Sequence, residues 1–196
     1  KDYFSNINNE TMFKKILIAE DLDSISIAIV QALEELSISE IHHAKYCDDA
    51  LLKIKKAICD DTPYDLLISD LSFKIDHRET ILNSGDELIE AVKKIQPEIK
   101  TIVFSIEDKS YRIKSLFNDL GINAYISKGR NSIPELQKAI RNIYLHDEKV
   151  LSTELSYALR DKSLLEIEAY DITLLQFLSK GLTLDEIALK PITMFI

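Results

Sequence analysis

A chain of 196 residues, 46% hydrophobic and 29% charged, has enough apolar surface for one large core, or for one domain with a small second one, and too much to be disordered. Its net charge of −9 excludes binding of nucleic acid by bulk electrostatics. No apolar run approaches the ~20 residues of a membrane helix, and residues 1–6 lack the apolar centre of a signal peptide, so the chain is expected in the cytoplasm and off the membrane.

Residues 1–13 are polar and Asn-rich, an expected arm. Residues 14–21 read as a buried strand that ends in two acids, Glu20 and Asp21. Asp23 or Ser24 suits the cap of the next helix, where Ile25, Ile29, Leu33 and Leu36 fall at helical spacing. Residues 38–45 are a weaker strand. Asp48 or Asp49 suits the cap of a second helix with Leu51, Ile54 and Ile58 on one face. In that helix Cys47 and Cys59 stand roughly 18 Å apart at ~1.5 Å per residue, beyond the reach of a disulfide. Free thiols in a reducing compartment are expected. Thr62-Pro63 breaks the chain before residues 64–70, where the uncharged run Leu66-Leu67-Ile68 fits a strand covered on both faces and ending at Asp70.

Residues 72–84 are polar. Gly85 precedes a helix with Leu88, Val92 and Ile95 inward, ended by Pro97. Residues 99–105 are a strand, 109–119 a helix stopped near Gly121, and 122–128 a fifth strand. Ser132 suits the cap of a helix with Pro134 in its first turn and Ile133, Leu136, Ile140 and Ile143 apolar. This β-α alternation predicts an α/β fold, a doubly wound five-stranded parallel sheet ordered 2-1-3-4-5 with helices on both faces. Residues 146–151 read as a polar joint. Beyond it 152–160, 168–179 and 183–190 read as helices, a small all-α segment.

In that strand order the C-terminal ends of strands one, three, four and five share one crevice. They bring Glu20 and Asp21, Asp70, Ser105 and Lys128. Three carboxylates repel unless a cation neutralises them, and all-oxygen ligands suit Mg²⁺. Lys128 adds a compact charge for a phosphoryl or carboxylate oxygen, and Ser105 a hydroxyl donor. Taken singly, each is an ordinary turn or surface residue. Together they make a site for in-line phosphoryl transfer to an Asp, giving an aspartyl-phosphate.

The runs Ile18-Ala19-Glu20-Asp21, Leu67-Ile68-Ser69-Asp70-Leu71, Ile102-Val103-Phe104-Ser105 and Tyr125-Ile126-Ser127-Lys128 carry a resemblance. Through them residues 14–147 resemble a response-regulator receiver domain of two-component signalling. The resemblance implies that Asp70 is the phosphoacceptor and that Glu20, Asp21, Asp70 and the backbone carbonyl of Ser72 hold Mg²⁺. It implies Lys128 as the phosphate-contacting lysine, Ser105 as the switch hydroxyl and Tyr125 as the switch aromatic. Phosphorylation is then expected to draw Ser105 toward the phosphoryl oxygens and let Tyr125 turn inward. A sensor histidine kinase or phosphotransfer protein would supply the phosphoryl group, and a homodimer is a further partnership. No enzyme activity is expected beyond the domain's own phosphotransfer and dephosphorylation. This sequence departs from the family's pattern in four places. Phe73-Lys74 stands where Met-Pro is usual, and the loop before Gly85 is several residues longer. Ile106 replaces a small residue, and Gly129 replaces a Pro. The 73–84 loop is expected to be mobile and to lie beside the phosphorylation site.

Residues 167–189 resemble the start of the helix-turn-helix domain of the NarL/FixJ/LuxR class. The matching run is 171–188, an amphipathic helix, a stop at Gly181, a cap at Thr183 and a second helix opening with Asp185 and Glu186. Residues 148–166 would be a linker with a short helix and 167–196 a partial output domain. Pro191 falls where an apolar helical residue is expected, and residues 191–196 are too short to cross a major groove. The chain is therefore expected to be a piece of a longer protein. Residues 151–196 hold four Lys/Arg against seven Asp/Glu, or −3, whereas a DNA-reading module needs a basic face. Transcription control is thus expected of the full-length protein, with DNA as its partner but not the partner of this chain. A rival reading has the regulator act by protein contact alone. A phosphohydrolase reading is weaker, because haloacid-dehalogenase-like phosphatases carry an Asp-x-Asp pair on their first strand and Asp70 has no such partner.

Overall fold

The computed structural model describes residues 12–74, 77–153, 155–156 and 177–183. The chain divides into two compact units, Lys1–Ser156 and Tyr157–Ile196.

In the first unit strands and helices alternate: β1 Lys15–Ala19, α1 Asp23–Glu35, β2 Glu40–Ala44, α2 Cys47–Cys59, β3 Leu66–Ser69, α3 Gly85–Ile95, β4 Lys100–Ser105, α4 Ser110–Asn118, β5 Ala124–Ser127, α5 Ser132–His146 and β6 Val150–Leu151. The sheet is parallel throughout, in the order β2-β1-β3-β4-β5-β6. Its centre is uncharged because helices cover both faces. Ile16, Leu17, Ile18, Leu66, Leu67, Ile68, Ile102, Val103 and Phe104 are all buried. Such a side chain contributes roughly 1.5–3 kcal/mol when fully removed from water. The chain reverses its direction of winding between β1 and β3, so the crevice opens where those two strands end.

The sixth strand corrects the reading of 146–151 as a polar joint. Asp147 takes a left-handed conformation (φ 51) that ends α5 and returns the chain to the sheet. Val150 then pairs with Ala124, and Leu151 with Tyr125. Two residues are too few to show strand periodicity in a sequence.

The expected helix caps are also corrected. The N-cap residues are Leu22, Tyr46 and Asn131, none with a side-chain cap bond, in place of Asp23 or Ser24, Asp48 or Asp49, and Ser132. The acids still favour the positive ends of their helices, but their oxygens are used elsewhere. Asp23 pairs with Lys45 at 2.6 Å. Asp48 accepts the N–H groups of Ile81 and Leu82 at 2.8 and 3.1 Å. Asp49 takes both guanidinium nitrogens of Arg78 at 2.6 and 3.0 Å, while that guanidinium lies 4.4 Å from the Tyr46 ring centre. Residues 78–83 are therefore tied to the start of α2.

Cys47 and Cys59 are free thiols at the two ends of α2, as expected. Burial pushes the Cys47 thiol up to about 12, whereas Cys59 is exposed. Iodoacetamide at pH 8 should therefore add one adduct to the native chain, at Cys59, and two in denaturant. Peptide mapping that finds Cys47 alkylated under native conditions would contradict the burial.

Within the second unit the described residues 177–183 contain the expected glycine stop. Gly181 (φ +80) follows a helical turn, with Leu182 N–H donating to Phe177 O and Gly181 N–H to Leu178 O. That bond pair is a Schellman C-cap. The other helices read in 157–196, and the end at Pro191, lie outside the described residues.

Candidate functional site

Each site residue stands where an apolar strand stops. β1 delivers Glu20 and Asp21, β3 delivers Asp70, β4 ends in Ser105, and β5 is followed by Lys128. Glu20, Asp21 and Asp70 come together, with one carboxylate oxygen from each lying within 4.8 Å of the others. Glu20 and Asp70 are buried and Asp21 is partly exposed. Lys128 Nζ donates to Glu20 Oε2 and to Asp70 Oδ2, both at 2.7 Å. One ammonium thus faces three carboxylates. Burial raises the Glu20 carboxyl above its ordinary range, and Lys128 opposes the shift. The donor set is hard oxygen and the acids exceed the local cation, so these residues fit a Mg²⁺ ion.

Three of the four remaining carboxylate oxygens accept backbone N–H groups. Leu71 N–H donates to Asp70 Oδ1 at 2.6 Å. Leu22 N–H donates to Glu20 Oε1 at 3.1 Å, and Lys74 N–H to Asp21 Oδ2 at 2.9 Å. The last bond ties the start of the long loop directly to the acid pair. Ser72, the residue expected to offer its carbonyl, forms an antiparallel bridge with Ser84.

Ser105 is fully buried, and its Oγ forms no well-aligned hydrogen bond, although it lies close enough to the Tyr125 hydroxyl to interact with it. A buried hydroxyl without a well-aligned partner is costly, and is better matched once an acceptor arrives. Tyr125 stands on β5. Its ring is already inside, 0% exposed, and its hydroxyl donates to Glu107 O at 2.8 Å. Burial raises the phenol's pKa, so it remains a donor. The carbonyl of Glu107 supplies an acceptor that makes the inward position satisfied without any phosphoryl group.

Sequence reasoning passed over Gly85 as a site residue. Its N–H donates to Leu71 O at 3.0 Å, and a Cβ built on it would fall 1.8 Å from Asp70 O. The only signal was a glycine opening a strongly amphipathic helix shortly after a strand that ends in an acid.

Neither a protein-family model nor a curated protein matches this chain. Solved structures do. The RcsB response regulator of Salmonella typhimurium, described for its conformational dynamism for DNA interaction, is 20% identical with a TM-score of 0.68, covering 90% of this chain and 82% of that one. The isolated REC domain of RcsB from Salmonella enterica serovar Typhimurium, in the presence of phosphomimetic BeF3⁻, is 20% identical with a TM-score of 0.59, covering 74% of this chain and 97% of that one. A LuxR-family two-component response regulator from Aurantimonas is 15% identical with a TM-score of 0.64, covering 76% of this chain and 97% of that one. At these identities the likeness is one of architecture, and the acid-lined crevice lies at the carboxyl ends of the strands: the chain has the fold of response-regulator receiver domains.

Proposed function

We propose that the chain is a response regulator whose Asp70 accepts a phosphoryl group from a sensor histidine kinase or phosphotransfer protein. The observation that carries this reading is the convergence of Glu20, Asp21 and Asp70 on one point, with Lys128 bridging two of them. Glu20, Asp21 and Asp70 would hold Mg²⁺, which supplies positive charge for phosphoryl oxygens. An Asp70 oxygen attacks the phosphorus of a phosphohistidine. The new O–P bond forms as the P–N bond breaks, and the imidazole leaves with the electron pair. Lys128 then exchanges its bond to Asp70 for one to a phosphoryl oxygen. The buried Ser105 hydroxyl gains a phosphoryl oxygen as acceptor at the same moment. In this reading the chain performs no turnover beyond gaining and losing that group.

The protein would regulate transcription through a LuxR-type domain to which residues 167–196 belong. The DNA interaction of RcsB supports this. The chain of 196 residues would not read DNA, because residues 151–196 are net negative.

The test is intact mass after incubation with acetyl phosphate or phosphoramidate. The wild-type chain should gain one phosphoryl group with Mg²⁺ and none in excess chelator. Asp70→Asn should gain none under either condition. An adduct that persists in Asp70→Asn, or in chelator, would sink the assignment.

A further inference from the structure

The turn that carries Glu20 and Asp21 is braced by a side chain from the neighbouring strand. β2 ends at Ala44, whose carbonyl accepts the Glu20 N–H at 3.0 Å. The Glu20 carbonyl is met by the side chain of His43, with Nε2 at 2.7 Å. A carbonyl oxygen only accepts, so His43 Nε2 carries a proton and donates it. The same Nε2 lies 2.9 Å from Ser26 Oγ. Ser26, 5% exposed, sends its own proton to Leu22 O at 3.1 Å, which leaves an oxygen lone pair for the imidazole N–H. Glu20 Oε1 closes the turn by accepting the Leu22 N–H. Residues 20–22 are thus held by His43 at one carbonyl, by Ser26 at another, and by the carboxylate of Glu20 at an amide.

We propose that His43 is a positioning residue for the cation site. Its Nε2–H fixes the Glu20 peptide, and through that peptide the aim of the Glu20 and Asp21 carboxylates. Like charges on adjacent residues favour splaying of the turn, and the imidazole opposes it from behind without touching cation or phosphate. Groups that orient ligands from outside the coordination sphere are worth about 10–100-fold in metal affinity. The inference rests on the phosphoacceptor reading, since it gives that site its geometry.

The experiment compares Mg²⁺ affinity of the whole chain by titration calorimetry in wild type, His43→Phe and His43→Gln. Phe keeps a ring without a donor, and Gln returns an N–H at similar reach. His43→Phe should bind Mg²⁺ about tenfold more weakly, with His43→Gln restoring most of the loss. In phosphoramidate kinetics the His43→Phe defect should appear as a higher Mg²⁺ requirement and vanish at saturating Mg²⁺. Equal affinity in wild type and His43→Phe would overturn the role, even if the variant melts earlier in Mg²⁺-free buffer. Equal loss in both variants would also overturn it. If His43→Phe does not fold, Ser26→Ala, which removes the imidazole's second acceptor together with the hydroxyl bond to Leu22 O, should weaken Mg²⁺ binding, and unchanged affinity would count against the proposal. A wild-type chain that takes up no Mg²⁺ overturns the phosphoacceptor reading itself, whereas uptake by wild type and His43→Phe alike overturns only His43.

Discussion

Replacing Gly85 by Ala should lower stability by about 3 kcal/mol and slow phosphorylation of Asp70 by roughly a hundredfold. The added Cβ would lie 1.8 Å from Asp70 O, 2.8 Å from Asp70 C and 3.0 Å from Leu71 Cα. All three are backbone atoms, so no side-chain rotamer can make room. Either α3 moves as a body or the peptide after Asp70 swings away. Overpacking costs typically about 1–3 kcal/mol, and a clash confined to backbone belongs at the upper end. For a chain of this size that lowers Tm by roughly 6–12 °C. Any displacement of the Asp70 peptide also moves its carboxylate, and an error of about 1 Å in a reacting group can cost ~10²-fold. Gly121→Ala is the internal comparison. Gly121 has φ +62 and nothing within 4 Å of a built Cβ, so its cost is backbone strain alone, about 1–2 kcal/mol, with the phosphorylation rate unchanged. Thermal melts and phosphoramidate kinetics on both variants check this, and a wild-type Tm for Gly85→Ala would disprove the close approach.

Gly85 also marks where a sequence ceases to be legible. The five main strands could be read because a parallel strand covered on both faces is an unbroken apolar run, and each run here ends abruptly in a polar group. Glu20, Asp21, Asp70, Ser105 and Lys128 could be read for the same reason: their place at strand ends is a local fact, and strand order converts it into proximity. The reason for a glycine at 85 is not local. It depends on how closely α3 approaches the end of β3, which no periodicity encodes. His43 was illegible in another way, because on a partly exposed edge strand its side chain could equally have faced water. Asp48 and Asp49 were misread as caps because an acid at a helix start has two uses. Only the fold shows that Arg78 and the amides of Ile81 and Leu82 come near enough to claim them. β6 was missed because its two residues join a strand edge set by the rest of the sheet. Tyr125 was placed correctly in the chain, but its inward position follows from the Glu107 carbonyl, a partner 18 residues away.

Lys128→Met should cost about 3 kcal/mol in Mg²⁺-free buffer at neutral pH, with much of the loss recovered by Mg²⁺. Met keeps most of the side-chain volume and removes only the charge. The Lys128, Glu20 and Asp70 side chains are 11%, 1% and 7% exposed, so water screens their interaction poorly. Removing one partner of a buried pair costs about 3–5 kcal/mol because the other charge is stranded, and here two carboxylates are stranded beside Asp21. The pH dependence has a definite sign. Burial already raises the Glu20 carboxyl above its ordinary 4.5. The folded chain therefore holds that proton more tightly than the unfolded chain, and ionising Glu20 weakens folding as pH climbs from 4.5 toward the raised value. Without Lys128 that upper limit moves further up. Acidification from neutral toward pH 5 should accordingly stabilise Lys128→Met relative to wild type, and Mg²⁺ should do the same at neutral pH by replacing the lost charge. Wild type gains less from the metal, because there Lys128 must first give up a carboxylate. Denaturant melts of both proteins, with and without Mg²⁺ at two pH values, separate these effects. A Lys128→Met chain as stable as wild type without metal, or one indifferent to both Mg²⁺ and acid, would show that the three carboxylates do not share one electrostatic site.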